Sequence, residues 1–273
     1  MPNLTELLMQ HEPAVRFTAF ATILVSLALA EHFWPRRRHS LPRGRRWTAN
    51  AGIVLIDTAA LRVLLPLLAA GMAIEAERRG WGLFNALALP VWIEFVLAVL
   101  LLDLAIYFQH WLFHVTGPLW RLHRMHHSDL DFDVSTALRF HPIEILISMG
   151  IKIAAVAALG ASAPAVITFE ILLNGVTLFN HANLRLPGGA DRLLRLIVVT
   201  PDMHRVHHSV HRLETDSNFG FSFPWWDRLF RTYRAQPADG HERMVIGLQS
   251  FRDPQRQGLL GLLWQPFTRG PER

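Results

Sequence analysis

His110 and His114 stand four residues apart, and on a helix that spacing puts both imidazoles on one face. His123, His126 and His127 form H-x2-H-H, and His204, His207 and His208 repeat the pattern far along the chain. Offsets of three and four bring the three rings of each cluster to one side of a helical turn. Between the clusters lie His141, in Arg139-Phe140-His141-Pro142, and His181, in Asn180-His181-Ala182-Asn183; His211 follows the last cluster. Eleven of the fifteen histidines fall between His110 and His211, roughly twice what an even scatter would give.

A lone H-x3-H is ordinary core or surface polarity, but three such clusters together point to metal. A first-row ion takes about four to six ligands, and imidazole suits iron, zinc, copper and nickel. Eight or nine histidines are too many for one ion and suit two. Neutral imidazole brings no negative charge, and its second ring nitrogen needs an orienting acceptor. Asp103, Asp129, Asp131, Asp133, Asp202 and Asp216 are near enough in sequence to serve, against a plain reading of each as a solvated loop acid. The chain has no cysteine, which excludes a disulfide framework, a thiolate zinc site, an iron–sulfur cluster and a catalytic thiol.

The elements that must position these residues look membrane-bound. Only 18% of the residues are charged, against about a quarter in a soluble domain. Apolar runs cover Phe17 to Trp34, Trp47 to Ile74, Trp81 to Phe113, Ile143 to Leu159 and Ala163 to Phe179. A spanning helix needs about 20 residues. The second and third runs reach that length and the first is marginal. The last two, split by Gly160, Ala161, Ser162 and Pro164, could instead form a re-entrant hairpin. The first run follows a polar Met1–Arg16 segment without a cleavage motif, so it reads as a retained helix. Six arginines between Pro35 and Arg46 place that loop in the cytosol and loop 75–80 outside, which returns the third run to the cytosol near His114. Tryptophans 34, 47, 81, 111 and 120 fall near helix ends, as interfacial tryptophans do.

Asp57, Arg62, Glu94, Asp103 and Glu170 lie within the runs, where ionisable groups are costly and face a bundle interior. Asp103, Tyr107, His110 and His114 share one helix face. The net charge of +5 comes from arginines beside apolar runs, which fits anionic headgroups and argues against nucleic acid. The expected fold is therefore all-α. It is one integral membrane domain over 1–273, a bundle of about four transmembrane or re-entrant helices under a cytosolic helical cap that carries the histidine clusters. Transmembrane helices occupy 14–113 and a transmembrane or re-entrant hairpin 143–182; cytosolic histidine segments occupy 114–142 and 183–235, and a tail 236–273. Pro224-Trp225-Trp226 reads as an interface anchor, and Leu259 to Trp264 as an interfacial helix.

The clusters begin where the third run leaves the bilayer, so a metal pair there sits over the end of the bundle. A lipid chain could rise into an apolar pocket beneath it. Attack on an unactivated C–H bond calls for a redox metal, iron or one like it.

Two stretches, DLAIYFQHWLFHVTGPLWRLHRMHH (Asp103 to His127) and PDMHRVHHSVHRLETDSNFGFSFPWWDRLFRTY (Pro201 to Tyr233), resemble the fatty acid hydroxylase / sterol desaturase superfamily, as do the RFHP and NHANL segments between them. The likeness covers roughly residues 90–235. It implies a nonhaem centre of two iron ions, with zinc as a possible substitute, that uses O2 and two external electrons on a membrane lipid. By the same resemblance His110, His114, His123, His126, His127, His204, His207 and His208 are metal ligands and His181 completes the set. His141 and His211 stand between ligand and supporting partner, with His141 carried as a tenth ligand. Asp216 and Asn218 match a polar segment that orients ligands, and Asp103 and Asn218 are the candidate catalytic residues. No H-P-G-G haem motif is present, so electrons are expected from a separate cytochrome b5- or ferredoxin-like protein. The x3 spacing of the first cluster departs from the x4 of carotenoid hydroxylases.

The resemblance leaves sterols, fatty acyl chains, ether lipids and sphingolipid-like substrates open, and hydroxylation against desaturation. A bis-histidine haem protein would need single histidines deep in facing helices. A metal transporter would need ligands along a membrane path, which Asp57, Glu94 and Glu170 allow. A membrane zinc hydrolase would need a base such as that of H-E-x-x-H, which is absent.

Overall fold

Prolines and glycines cut the apolar runs into helices. A computed structural model describes residues 11–268; within them the chain is helical, with short 3-10 turns and two isolated β-bridges. The first segment, α1, covers Glu12–Phe33, and α2 covers Arg43–Leu64. Leu65 is extended because it precedes Pro66, whose ring disfavours a helical neighbour. The chain then re-enters helix as α3 (Ala69–Arg79), stops at Gly80 with φ of 67°, makes the short α4 (Leu83–Leu87), and resumes after Pro90 as α5 (Val91–Val115). The run expected to continue from Trp47 to Ile74 is thus broken at Leu65-Pro66. The segment 75–80, expected as a loop, is mostly the end of α3, and the third run starts at Val91 rather than Trp81. Next come α6 (Gly117–His127), a 3-10 turn at Val134–Leu138, α7 (Pro142–Leu159) and α8 (Ala163–Asn180). Proline in the first turn of α1, α6, α7 and α8 sits where the missing N–H costs nothing.

Among the described residues, five stretches are long and apolar enough to cross a membrane: Glu12–Phe33, Arg43–Leu87, Val91–Val115, Pro142–Leu159 and Ala163–Asn180. Their core joins Ala98, Leu102 and Ile106 of α5 to Ala165, Val166 and Phe169 of α8, Val156 of α7, and Ala69 and Ala73 of α3. Small residues at such contacts let helices approach closely without relying on a hydrophobic drive that lipid does not supply. Gly82 and Gly160 meet where a Cβ on Gly82 would stand 2.1 Å from the Gly160 nitrogen, which seats the α3–α4 turn on the end of α7. Leu55, Val63, Val91 and Trp92 point away from the bundle.

The charged groups within the spans are mostly occupied. Glu94 accepts from Ser162 N and Oγ (both 2.9 Å) and so fixes the residue from which α8 starts. Glu170 takes Arg16 at 2.7 Å and Lys152 at 2.6 Å. Helix α1 buries a single residue, Glu31, whose carboxylate accepts from Val134 N and Asn183 N, both at 2.8 Å.

One end of every long helix meets the histidine segments. Arg46 in the first turn of α2 holds Asp129 and Asp133 at 2.7 Å. Burial would raise the Asp129 carboxyl, but Arg46 and Arg139 hold it at about 2. The helix Leu259–Trp264, expected on the membrane interface, buries Leu262 with Ala49, Ile53 and Met125 and leaves Leu260 and Trp264 exposed. Arg124 of α6 donates to the carbonyls of Gln265 and Thr268, both at 2.8 Å. The segment 259–268 is thus a strap beneath the second histidine cluster.

Candidate metal centre

Nine buried histidines converge in two groups. His110, His114, His123, His127 and His207 form one, and His126, His181, His204 and His208 the other; within each group one ligand atom per residue lies within 4.8 Å of all the others. Helical spacing decides who goes where. The i, i+4 pairs His110/His114 on α5, His123/His127 on α6 and His204/His208 on the helix Pro201–His207 and its cap each stay within one group. His126 and His207, off those faces, cross to the other group, so each of the two H-x2-H-H clusters serves both.

The spacing of the nitrogens matches ligands that share an ion. Nε2 of His110 lies 3.1 Å from Nε2 of His123 and 3.0 Å from Nε2 of His207. In the other group, His181 Nε2 lies 3.1 Å from His126 Nε2 and 3.2 Å from His204 Nε2. Two nitrogens bound about 2.1 Å from an ion at right angles stand about 3.0 Å apart. On four of the rings the outward nitrogen is held by an acceptor, which fixes the tautomer with Nε2 free to bind. His110 Nδ1 donates to Phe219 O (2.7 Å), His207 Nδ1 to Ser217 O (2.6 Å), His181 Nδ1 to Thr177 O (2.8 Å) and His123 Nδ1 to Glu144 Oε1 (2.6 Å). The buried His127 Nε2 and both nitrogens of His208 have no hydrogen-bond partner among the described residues. Such orphans are costly unless something else takes the lone pair, and a metal ion is what the donor set fits.

Burial sets the protonation state. It drives the imidazoles of His126, His127, His204, His207 and His208 well below their ordinary range, with neighbouring histidines adding to the effect, and His181 to about 4. Neutral rings can bind a metal without first losing a proton.

The segment 216–223 forms a collar around the first group. Ser217 and Phe219 offer the carbonyls that hold His207 and His110, and Asn218 between them has φ of 52°, the left-handed region. Its buried amide donates to Met203 O (2.9 Å) and Arg234 O (2.8 Å) and accepts from Arg234 N (2.8 Å). Asp227, buried and raised by that burial to about 6, accepts from Phe219 N (2.8 Å) and Gly220 N (2.9 Å). A Cβ on Gly220 would meet Asp227 Oδ2 at 2.7 Å, so only glycine fits there.

The remaining expected site residues separate clearly. The Asn218 side chain hydrogen-bonds to backbone at Met203 and Arg234 rather than to an imidazole, and so positions the collar. Asp103 accepts from Trp226 Nε1 at 2.8 Å and so braces the loop after the collar rather than a histidine. Asp216 reaches His114 Nδ1 at 3.4 Å. Asp129 and Asp133 serve Arg46, and Asp131 accepts from Ser40 and Leu41 N. The expectation of a tenth ligand at His141 does not match its placement: Nδ1 accepts from Ile143 N at 3.2 Å to cap α7, and Nε2 faces Leu263 O at 3.2 Å. His211 is exposed and bound to Asp239 at 2.8 Å. Glu144, absent from the expected partners, is the carboxylate on His123; its only sequence signal is its place in the first turn after His141-Pro142.

A cavity of about 250 Å³ opens beside the first group. His110 and His123 line one end together with Phe113, Phe140 and Phe221, and it continues between α1, α2, α5, α7 and α8 to Lys152 and Asn174.

The profile of the fatty acid hydroxylase family matches residues 95–232, about half of the chain, a stretch that contains all nine clustered histidines and the collar. The chain is 31% identical over 180 residues to ornithine lipid hydroxylase OlsE of Rhizobium tropici, covering 66% of this chain and 52% of that protein. It is 32% identical over 152 residues to alkylglycerol monooxygenase of Homo sapiens (55% of this chain, 32% of that one) and 30% over 184 residues to that of Danio rerio (62% and 36%). The chain therefore spans about half the length of the first relative and about a third of the other two. No solved structure matches it.

Proposed function

The chain belongs to the fatty acid hydroxylase family, and from that premise we propose that it is a membrane-embedded, non-haem dimetal oxygenase that hydroxylates a lipid with O2. The observation that carries the reading is the pair of buried histidine groups, five and four, the first of which lines a largely apolar cavity through His110 and His123. His110, His114, His123, His127 and His207 would hold one ion, and His126, His181, His204 and His208 the other. Two iron ions there would supply the oxidation of a C–H bond by O2, with two electrons from outside. The chain's own residues do the rest. Glu144, Thr177 O, Ser217 O and Phe219 O orient the imidazoles through Nδ1, and Asn218 and Asp227 hold the collar in place. Phe113, Phe140 and Phe221 keep water from the ring edges and leave room for a hydrocarbon segment.

The names of the relatives favour oxygen insertion over desaturation, and a lipid with a polar headgroup over a sterol. The arginine-rich segment 35–46, beside the histidine cap, supports a cytosolic position for the site. We assign electron delivery to a separate cytochrome b5- or ferredoxin-like protein.

The test is metal analysis of protein purified from iron-supplied cells, followed by incubation with membrane lipids, a reductant and isotopically labelled O2. Two irons per chain and one labelled oxygen in a lipid product are expected. Folded protein with much less than one metal per chain, or iron-loaded protein that puts no labelled oxygen into lipid, overturns the proposal.

A further inference from the structure

The cavity beside the first histidine group is not uniformly apolar. Asp57 of α2 lines it, is 8% exposed, and its Oδ1 has no hydrogen-bond partner among the described residues. Glu144 lines the same cavity, is 3% exposed, spends Oε1 on His123 and leaves Oε2 without a partner. Gln109 adds a third acceptor: its Nε2 donates to Ser148 Oγ at 2.8 Å and its Oε1 is buried and unpartnered. Three acceptor oxygens thus line one cavity and meet no donor from the protein. A buried acceptor without a donor costs about 1–3 kcal/mol, and more when it carries charge.

Charge sharpens the requirement. The other ionisable group on the cavity wall besides these carboxyls and the histidines is Lys152, and it is already spent. It pairs with Glu170 at 2.6 Å, Glu170 pairs with Arg16 at 2.7 Å, and Arg16 pairs with Glu12 at 2.7 Å. Two acids and two bases balance one another there and leave nothing for Asp57. A guest that completes the cavity must bring hydrogen-bond donors, and one that keeps Asp57 ionised must bring positive charge as well. A primary ammonium has three donors and no acceptor, which is what this wall lacks. The length also fits. Along α7, Glu144 and Lys152 are eight residues or about 12 Å apart, so the cavity admits one segment of a lipid, which there shares a wall with Asp57, His110 and His123.

We infer that Asp57 is a substrate-binding residue that selects lipids carrying an ammonium group, held in the cavity beside His110 and His123. This rests on the reading of that cavity as the lipid site. It makes Asp57 a determinant of specificity, with Gln109 and Glu144 completing the acceptor set.

Equilibrium binding tests it without turnover. Zinc-loaded protein in nanodiscs, with two zinc ions per chain as the check of an intact site, is titrated with three single-chain lipids. They are alike except for a free primary ammonium, its N-acetylated form, and a hydroxyl in its place. Wild-type protein is expected to bind the ammonium lipid at least about tenfold more tightly than either neutral lipid, a difference of about 1.4 kcal/mol. Asp57→Asn is expected to remove that preference while changing the neutral affinities less than about threefold. Equal affinity of the wild type for all three lipids overturns the inference without any variant. A preference that survives in zinc-loaded Asp57→Asn overturns the role of Asp57. Selective binding without lipid oxidation by the iron-loaded protein would sink the oxygenase reading alone, and oxidation without selective binding would sink this inference alone.

Discussion

Asn218 gives the sharpest test of how the metal groups are held, because its side chain bonds to backbone rather than to a histidine and yet it sits between the two carbonyls that orient His207 and His110. Replacing it with alanine acts in two ways. A left-handed backbone costs an L-residue with a Cβ about 1–2 kcal/mol, a penalty that asparagine tolerates better than alanine. The three hydrogen bonds of the amide, at 2.8 to 2.9 Å in a fully buried position, are worth about 1 kcal/mol each. Asn218→Ala should therefore cost about 4–5 kcal/mol locally, and Asn218→Gly, which keeps the backbone at ease, about 3 kcal/mol. Misplacing acceptors around ligating imidazoles typically costs 10–100-fold in metal affinity. The assay is metal per chain by elemental analysis together with the midpoint of thermal inactivation in detergent. Both variants are expected to fall below wild type, alanine further than glycine. Wild-type metal content and midpoint in Asn218→Ala would refute the positioning role; an alanine variant no worse than glycine would refute the backbone part of the argument.

Three further outcomes follow from the same geometry. Glu144→Gln keeps an acceptor on His123 but removes its charge, so metal affinity should drop about 10–100-fold in titrations against a competing chelator; unchanged affinity would show that the carboxylate does not tune that ligand. His207→Ala should lose metal and activity, whereas His141→Ala should keep its full metal content with at most a loss of stability from the missing helix cap of about 1 kcal/mol; metal loss in the second variant would restore His141 to the ligand set. For pH, the buried imidazoles outside the spans lie below the ordinary histidine value of about 6.5, His181 at about 4, so below 6.5 the unfolded chain binds more protons than the folded one. Their stabilising contribution is present above about pH 6.5 and is lost as pH falls, and protons compete with metal in the same direction. The inactivation midpoint and bound metal should both decline between pH 7.5 and 5, and a flat profile would count against buried neutral ligands.

Much of the centre was legible because its ligands recur at short helical spacings. His110/His114, His123/His127 and His204/His208 are i, i+4 pairs, and the structure keeps each pair in one group. The division into five and four was readable in principle from those offsets, since His126 and His207 lie off the paired faces. The acceptors behind the rings were not readable. Three are backbone carbonyls, which carry no residue signature, and the fourth, Glu144, lies 21 residues from His123. Acids that looked well placed, Asp129 and Asp133, answer instead to Arg46 from a helix some 80 residues earlier. The apolar runs located the long helices, and the two ends that were misjudged, at Pro66 and Pro90, are places where hydropathy stays high while the backbone cannot continue a helix.

The way α1 is fastened has a consequence for biosynthesis. It is clasped at one end by Arg16 on Glu170 and at the other by Glu31 on Val134 N and Asn183 N, with no buried apolar residue between them. Every one of those anchors is translated more than 100 residues later. The helix must therefore wait in the bilayer for its partners, with Arg16 and Glu31 near opposite ends where they can reach headgroups, and its docking registers that the first histidine segment and α8 have been made. The clasps would act as a checkpoint on the nascent protein, closing only once the chain has been made as far as Asn183, ahead of His204, His207 and His208 that complete the two metal groups.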